Sequence, residues 1–262
     1  MRFNDSERKG RQARKGSLRS LRALRSRVFV IVAVLTFSSF ARAQQPAAPR
    51  ELGIKYVRDS EEYAVVARQL YRVAGDAVDR ARTGMSGAWA VVLDVDETTL
   101  DNSTYQAERA VYGLSFEADS WNAWIQRRQA SAVPGVKGFV DRIRSAGGHV
   151  AWITNRDAML ADATRANLAS IGVWSDDDRL CGLKPQYPKA QRRHEVVAGS
   201  GECAWPNRPM RVLAFVGDQL GDFPTASEMI PGAGSDEAFG TTCFLLPNPM
   251  YGDWTSRVTR GK

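Results

Sequence analysis

The feature that most constrains this chain is Trp89-Ala90-Val91-Val92-Leu93, which runs directly into Asp94-Val95-Asp96 and a hydroxyl-rich turn at Thr98-Thr99. An unbroken apolar run of this length reads as a strand covered on both faces, as in a parallel sheet. Open α/β sheets bind ligands in the crevice beyond the carboxyl ends of their strands. Two carboxylates spaced i, i+2 at such an end repel each other and must shed water, so a sequence tuned only for stability avoids them. A divalent cation is the simplest species that makes the pair tolerable. The stretch therefore reads as a metal-dependent catalytic strand end.

The rest of the chain supplies partners for that strand. Tyr63, Val66, Ala67, Leu70, Ala74 and Val78 recur on one face of a helix over residues 61–82, ended by Gly84 and Gly87. Residues 103–133 are helical and aromatic (Tyr105, Tyr112, Phe116, Trp121, Trp124) and interrupt the strand–helix alternation, so they are expected to cap the strand ends. Pro134 starts a helix carrying Val136, Phe139, Val140 and Ile143, which Gly147-Gly148 closes. Further strands are expected at His149–Ile153, Leu180–Leu183, Val212–Val216 and Thr242–Leu246, with helices after the first two and loops at 198–209 and 231–235. Strands alternating with helices indicate a right-handed, mostly parallel, Rossmann-like sheet flanked by helices.

Charge separates the N-terminus from the body. Residues 1–43 carry eleven Lys/Arg and two acids, whereas the remainder carries 25 Lys/Arg against 27 acids. The body is close to neutral, so it is not expected to bind a nucleic-acid polymer. A basic stretch from Arg2 to Arg27, an apolar run from Val28 to Leu35 and Ala41-Arg42-Ala43 form the three-part layout of a secretory signal peptide. The apolar run falls far short of the ~18 residues of a membrane span. The expected organisation is a signal peptide over 1–43, a short polar linker from Gln44 to Arg50, and one domain over 44–262, with no stable membrane insertion after cleavage. An oxidising compartment would permit one disulfide among Cys181, Cys203 and Cys243. Cys181 with Cys203 is the favoured pair, because it ties an irregular insertion to the strand before it.

If the strands are parallel, polar residues of three strand ends collect along one edge: Asp94 and Asp96, then Thr154, then Asp218 and Asp222. A lysine joins them. Lys189 at a helix start is preferred, and Lys184 competes with it. Four carboxylates, a hydroxyl and an ammonium suit Mg²⁺, which takes hard oxygen ligands and a substrate phosphate.

The order Asp-x-Asp-x-Thr, Thr, Lys and Asp-x-x-x-Asp resembles the four motifs of the haloacid dehalogenase superfamily of phosphatases. Leu93 to Ser103, Trp121 to Arg128, Ala132 to Gly135, Ile153-Thr154-Asn155-Arg156, Phe215 to Asp218 and Leu246 to Trp254 are similar to class C bacterial acid phosphatases, the group that includes the lipoprotein 5′-nucleotidases. The resemblance runs from about residue 50 to the C-terminus. It implies the haloacid dehalogenase fold with a small, mainly helical cap, built from the helix at about 60–83 and the segment at about 103–133. It also implies an acid phosphatase acting on small phosphate monoesters, with room for a preference for nucleoside monophosphates and for a homodimer. Asp94 would be the nucleophile, and Asp96 would carry the proton. Asp94, the Asp96 carbonyl and Asp218 would hold Mg²⁺, with Asp222 binding through water or orienting Lys189. Thr154, Asn155 and Lys189 would hold the phosphoryl group, and Tyr105, Trp121 and Trp124 could stack the leaving group. Two departures stand out. The family's lipid-bearing Cys is missing, which implies a soluble periplasmic or secreted form. Ser103-Thr104-Tyr105 stands where many members have Ser-Pro-Tyr, which leaves the nucleotide preference open. The alternatives are a sugar- or protein-phosphate phosphatase, and a non-catalytic storage or binding relative.

Overall fold

The run Trp89–Leu93 forms β1, and its period-2 alternation decides the whole architecture. Trp89, Val91 and Leu93 join one apolar cluster, while Ala90 and Val92 join another on the opposite face. All five residues are buried, as a strand covered on both sides requires. The computed structural model describes residues 49–228 and 234–256, all within one compact unit that spans 47–262. The expected signal peptide and polar linker up to residue 48, and most of the expected loop at 231–235, lie outside the described residues.

β1 pairs in parallel with β4 (His149–Asp157) and with β6 (Arg211–Gly217). β5 (Arg179–Leu183) adds outside β4 and β7 (Cys243–Leu245) outside β6, giving a parallel sheet of order β5-β4-β1-β6-β7. β4 continues past the expected end at Ile153, with a register shift against β5 between Ile153 and Asp157. A two-residue antiparallel pair, β2 (Leu100–Asp101) with β3 (Ser131–Ala132), lies outside that sheet. It was not foreseen, because two residues leave no periodic signal.

Helices cover both faces. α1 (Pro49–Asp59) precedes α2 (Glu61–Arg82), which begins at Ser60, whose hydroxyl accepts the Tyr63 N–H at 3.1 Å. α2, which the sequence reading groups with the cap, lays Ala67, Tyr71, Ala74 and Val78 in the same cluster as Val91, Leu93 and Phe139. It flanks the sheet beside α5 (Val136–Ser145). α3 (Ser103–Val111) and α4 (Ala118–Arg127) follow the β1 turn; α3 packs against α1, and α4 against α6 (Ala161–Ser170). On the other face, α7 (Lys189–Ala198) buries Val196 among Ile153, Phe215, Trp205 and the cysteines of the expected pair. Cys181 and Cys203 form that disulfide, with Cα atoms 5.6 Å apart, and Cys243 is a buried thiol. Among the described residues, no helix is long and apolar enough to cross a membrane.

Candidate active site

The turn after β1 is fixed before any side chain reaches the cavity. Asp94 N–H donates to Val216 O at 2.9 Å, which ties the strand end to β6. Leu100 N–H and Thr99 N–H both close onto Val95 O, and Glu97 takes a positive φ of 53°. That is a costly backbone for a non-glycine residue, of order 1–3 kcal/mol, and the surroundings over-determine it. The Glu97 carboxylate accepts the Asn102 N–H at 3.0 Å, and Tyr71 Oη donates to Thr98 O at 2.5 Å. Burial first, then the charges of Asp96 and Asp218, push the Glu97 carboxyl well above its usual range.

Strand ends of β1 and β6 and the start of α7 then converge. Among the described residues, one group of acids could hold a metal ion: Asp94, Asp218 and Asp222, whose ligand atoms lie within 4.8 Å of one another. Lys189 Nζ donates to Asp94 Oδ1 and Asp222 Oδ1, each at 2.5 Å. Asp222 Oδ2 accepts the N–H groups of Asp218 (3.1 Å) and Gln219 (2.9 Å), so this side chain caps its own turn and carries the lysine. Gly217 permits that approach, because a Cβ there would overlap the Asp222 side chain. Asn248, from the C-terminal loop, donates to Asp218 Oδ2 at 2.8 Å.

The electrostatics of this cluster are unbalanced. Burial pushes the Asp94 carboxyl up to about 7; Lys189 opposes the rise, and the charges of Asp222 and Asp96 add to it. Asp218 is raised well above its usual range by burial and by Asp94 and Asp222. Burial alone would lower Lys189, but the two carboxylates it touches more than offset this and hold the ammonium above its usual range. Three buried carboxylates against one ammonium leave excess negative charge, which a hard divalent cation would offset. The donor set therefore fits such an ion.

The expected site residues divide by location. Asp94, Asp96, Asn155, Lys189, Asp218, Asp222 and Trp121 line one cavity of about 670 Å³. Asp96 is not part of the three-carboxylate group; its carboxylate is held by Arg156 and Asn102. Lys184 pairs with Glu202 on the surface, so Lys189 is the lysine that reaches the carboxylates. Thr154 is buried within β4, three residues before its end, where its Oγ1 accepts the Arg156 N–H at 3.1 Å. Tyr105 and Trp124 are buried behind the wall rather than in it. The Tyr105 ring packs edge-on to Trp121 at 5.1 Å, and Trp124 Nε1 donates to Asn102 Oδ1 at 2.8 Å. Neither is among the residues that line the cavity, and the Tyr105 hydroxyl pairs with Ser120 Oγ at 2.9 Å.

Three residues of the site were not singled out from sequence. Arg156 and Asn102 hold Asp96, and Arg192 donates from α7 to Thr154 O (2.6 Å), Cys181 O (3.1 Å) and Asn155 Oδ1 (3.1 Å). Arg192 is fully buried, and burial lowers its pKa. Its spacing of three from Lys189 on one helix was the available signal.

Comparison with known proteins places the chain among phosphatases. The family model described as HAD superfamily, subfamily IIIB (acid phosphatase), matches residues 31–254. The chain is 26% identical to acid phosphatase 1 of Solanum lycopersicum over 196 residues, covering 70% of this chain and 68% of that protein. It is 23% identical to the stem 31 kDa glycoprotein of Glycine max over 168 residues, covering 61% of this chain and 58% of the relative. The class C acid phosphatase of Bacillus anthracis superposes with a TM-score of 0.66 at 28% identity, covering 78% of this chain and 86% of that one. A second structure of that enzyme, with tungstate bound, gives 0.65 at the same identity and coverage.

Proposed function

Since the chain belongs to the acid phosphatases of the HAD superfamily, subfamily IIIB, we propose that it is an exported, Mg²⁺-dependent enzyme that acts through an aspartyl-phosphate and favours nucleoside monophosphates. It is a phosphoric monoester hydrolase. The observation that carries the mechanism is the position of Asp94: a buried strand-end carboxylate on the cavity wall, 2.5 Å from a lysine ammonium. Asp94 attacks phosphorus as the ester P–O bond breaks, and Asp96 gives a proton to the departing oxygen. Asp96 then takes a proton from water, which attacks the phosphoryl group, releases phosphate and regenerates Asp94. Lys189, the Asn155 amide and the Thr154 hydroxyl hold phosphoryl oxygens throughout. Thr154 accepts a backbone N–H, so its own O–H remains a donor. Asp94, Asp218 and the Asp96 backbone carbonyl would hold the cation, and Asp222 orients Lys189. The cation would supply positive charge against the charge of the transferring phosphoryl group.

Phe116, Trp121, Met250 and Tyr251 give the lining of the same cavity apolar and aromatic surface, which suits a flat leaving group such as a nucleoside. Residues 1–43 act as the export signal and 44–262 as the phosphatase domain, with α3 and α4 as its cap, soluble in the periplasm or outside the cell. A homodimer is compatible with this reading. The test is turnover of p-nitrophenyl phosphate at acid pH by the form beginning at Gln44, together with a panel of nucleotides and sugar phosphates. EDTA and Asp94→Asn should each abolish turnover, with Mg²⁺ reversing the first. Turnover that survives either treatment contradicts the mechanism, and equal rates on nucleotides and sugar phosphates contradict the preference.

A further inference from the structure

The carboxylate of Asp96 is gripped unevenly. Arg156 Nε donates to Oδ1 at 2.9 Å and to Oδ2 at 3.2 Å, and Nη2 donates to Oδ1 at 2.7 Å. Asn102 Nδ2 adds a third donor to Oδ1 at 2.9 Å. Oδ1 therefore takes three short bonds, and Oδ2 takes one long one. A carboxyl group carries its proton on the oxygen with the fewest and longest donor contacts. Oδ2 is that oxygen, with one contact at 3.2 Å against three of 2.9 Å or less on Oδ1.

The grip is itself held. Arg156 is 1% exposed, against 18% for the Asp96 side chain, so the guanidinium is enclosed and the carboxylate meets the cavity. Its guanidinium carbon lies 5.7 Å from the centre of the Trp121 ring, and Trp121 lines the same cavity. The orientation of Asn102 follows from its neighbours. The Trp124 indole N–H can only donate and so faces Oδ1 of the amide, while a carboxylate accepts from Nδ2. A planar two-pronged donor fixes the rotation of a carboxylate, whereas a point charge does not.

We propose that Arg156 is a positioning residue for the general acid: with Asn102 it occupies Oδ1 of Asp96 and leaves Oδ2 to deliver the proton to the leaving oxygen. The inference rests on the reading of Asp96 as the proton carrier. In this step the Oδ2–H bond breaks and an O–H bond forms on the leaving group, while the P–O ester bond breaks and the Asp94–phosphorus bond forms. Poor leaving groups need that proton, and good ones depart largely without it.

The experiment measures kcat/KM over a series of esters from p-nitrophenyl through phenyl to alkyl phosphate, because kcat/KM contains the leaving-group step and not the later hydrolysis. Wild type, Asp96→Asn, Arg156→Gln and Arg156→Lys are compared, with circular dichroism and melting as fold controls. For Arg156→Gln, kcat/KM on phenyl and alkyl phosphates should fall by about 10²-fold, and on p-nitrophenyl phosphate by less than about 10-fold. Arg156→Lys keeps the buried charge without the fork; it should steepen the dependence in the same direction and carries the test alone if the Gln variant does not fold. Losses equal across the series would reveal a structural ion pair and overturn the proposal, as would unchanged rates. Steepening in Asp96→Asn but in neither Arg156 variant overturns the positioning role alone. A wild-type slope in Asp96→Asn overturns the reading of Asp96, and the inference with it.

Discussion

Metal-free protein should lose stability as pH rises from 5 to 8. Asp94 is 6% exposed, and burial, only partly opposed by Lys189, pushes its carboxyl up from 3.8 to about 7. An acid whose folded pKa lies above its unfolded one binds more protons folded than unfolded between the two values, so stability falls through that window as pH rises. From pH 5 to the folded value is about two units, and at 1.36 kcal/mol per unit this comes to about 3 kcal/mol. Burial pushes Asp218 and Glu97 in the same direction. Burial alone would raise Glu195 and Glu228, but their hydrogen-bonding partners more than offset this and hold them below the usual carboxylate range, so they weaken the fold only at lower pH. For a domain of this size the loss is a fall in Tm of roughly 5–10 °C. The assay is thermal melting after EDTA treatment, at fixed ionic strength, from pH 5 to 8. Saturating Mg²⁺ should flatten or reverse the fall, because the cation binds the ionised cluster and only the folded state presents it. Asp94→Asn should lessen it without metal, leaving the part that Asp218 and Glu97 contribute. A metal-free Tm that is constant or rises over this window refutes the reasoning.

Lys189→Met strands two buried carboxylates; it should cost roughly 3–5 kcal/mol in urea unfolding and at least about 10²-fold in kcat. Lys184→Ala, which breaks an exposed pair with Glu202, should leave steady-state rates within about twofold. Removing both Cys181 and Cys203 opens a disulfide between residues 22 apart, and urea unfolding should register a loss of roughly 3 kcal/mol. Gly217→Ala places a Cβ against the side chain that carries Lys189; kcat should fall by about 10²-fold while circular dichroism stays native.

The sheet was legible wherever a strand is covered on both faces. Trp89–Leu93, the Val150–Ile153 part of the strand expected at His149–Ile153, and Val212–Val216 are continuous apolar runs, and each lies in the parallel sheet. α1 was not foreseen. Among the described residues its buried apolar side chains are Ile54 and Val57, packed with Tyr63 and Met250, a sparse stripe whose partner comes partly from the far end of the chain. At the site, Asp94, Asp96, Asp218 and Asp222 announced themselves as acids following apolar runs. Arg156 did not, because its meaning lies in a pairing 60 residues away. Trp124 and Tyr105 were legible as aromatics of the cap. Which way they face depends on Asn102 and Ser120, hydrogen bonds that no spacing rule encodes.

The central claim is that Asp94 carries the phosphoryl group. Acid quenching of the Mg²⁺-loaded enzyme during turnover of a radiolabelled phosphate monoester, followed by peptide mapping, tests it most directly. The account predicts acid-stable, base-labile label on the peptide containing Asp94 in wild type, and none in Asp94→Asn. Rapid turnover with no trapped label, or label on a different residue, would contradict it.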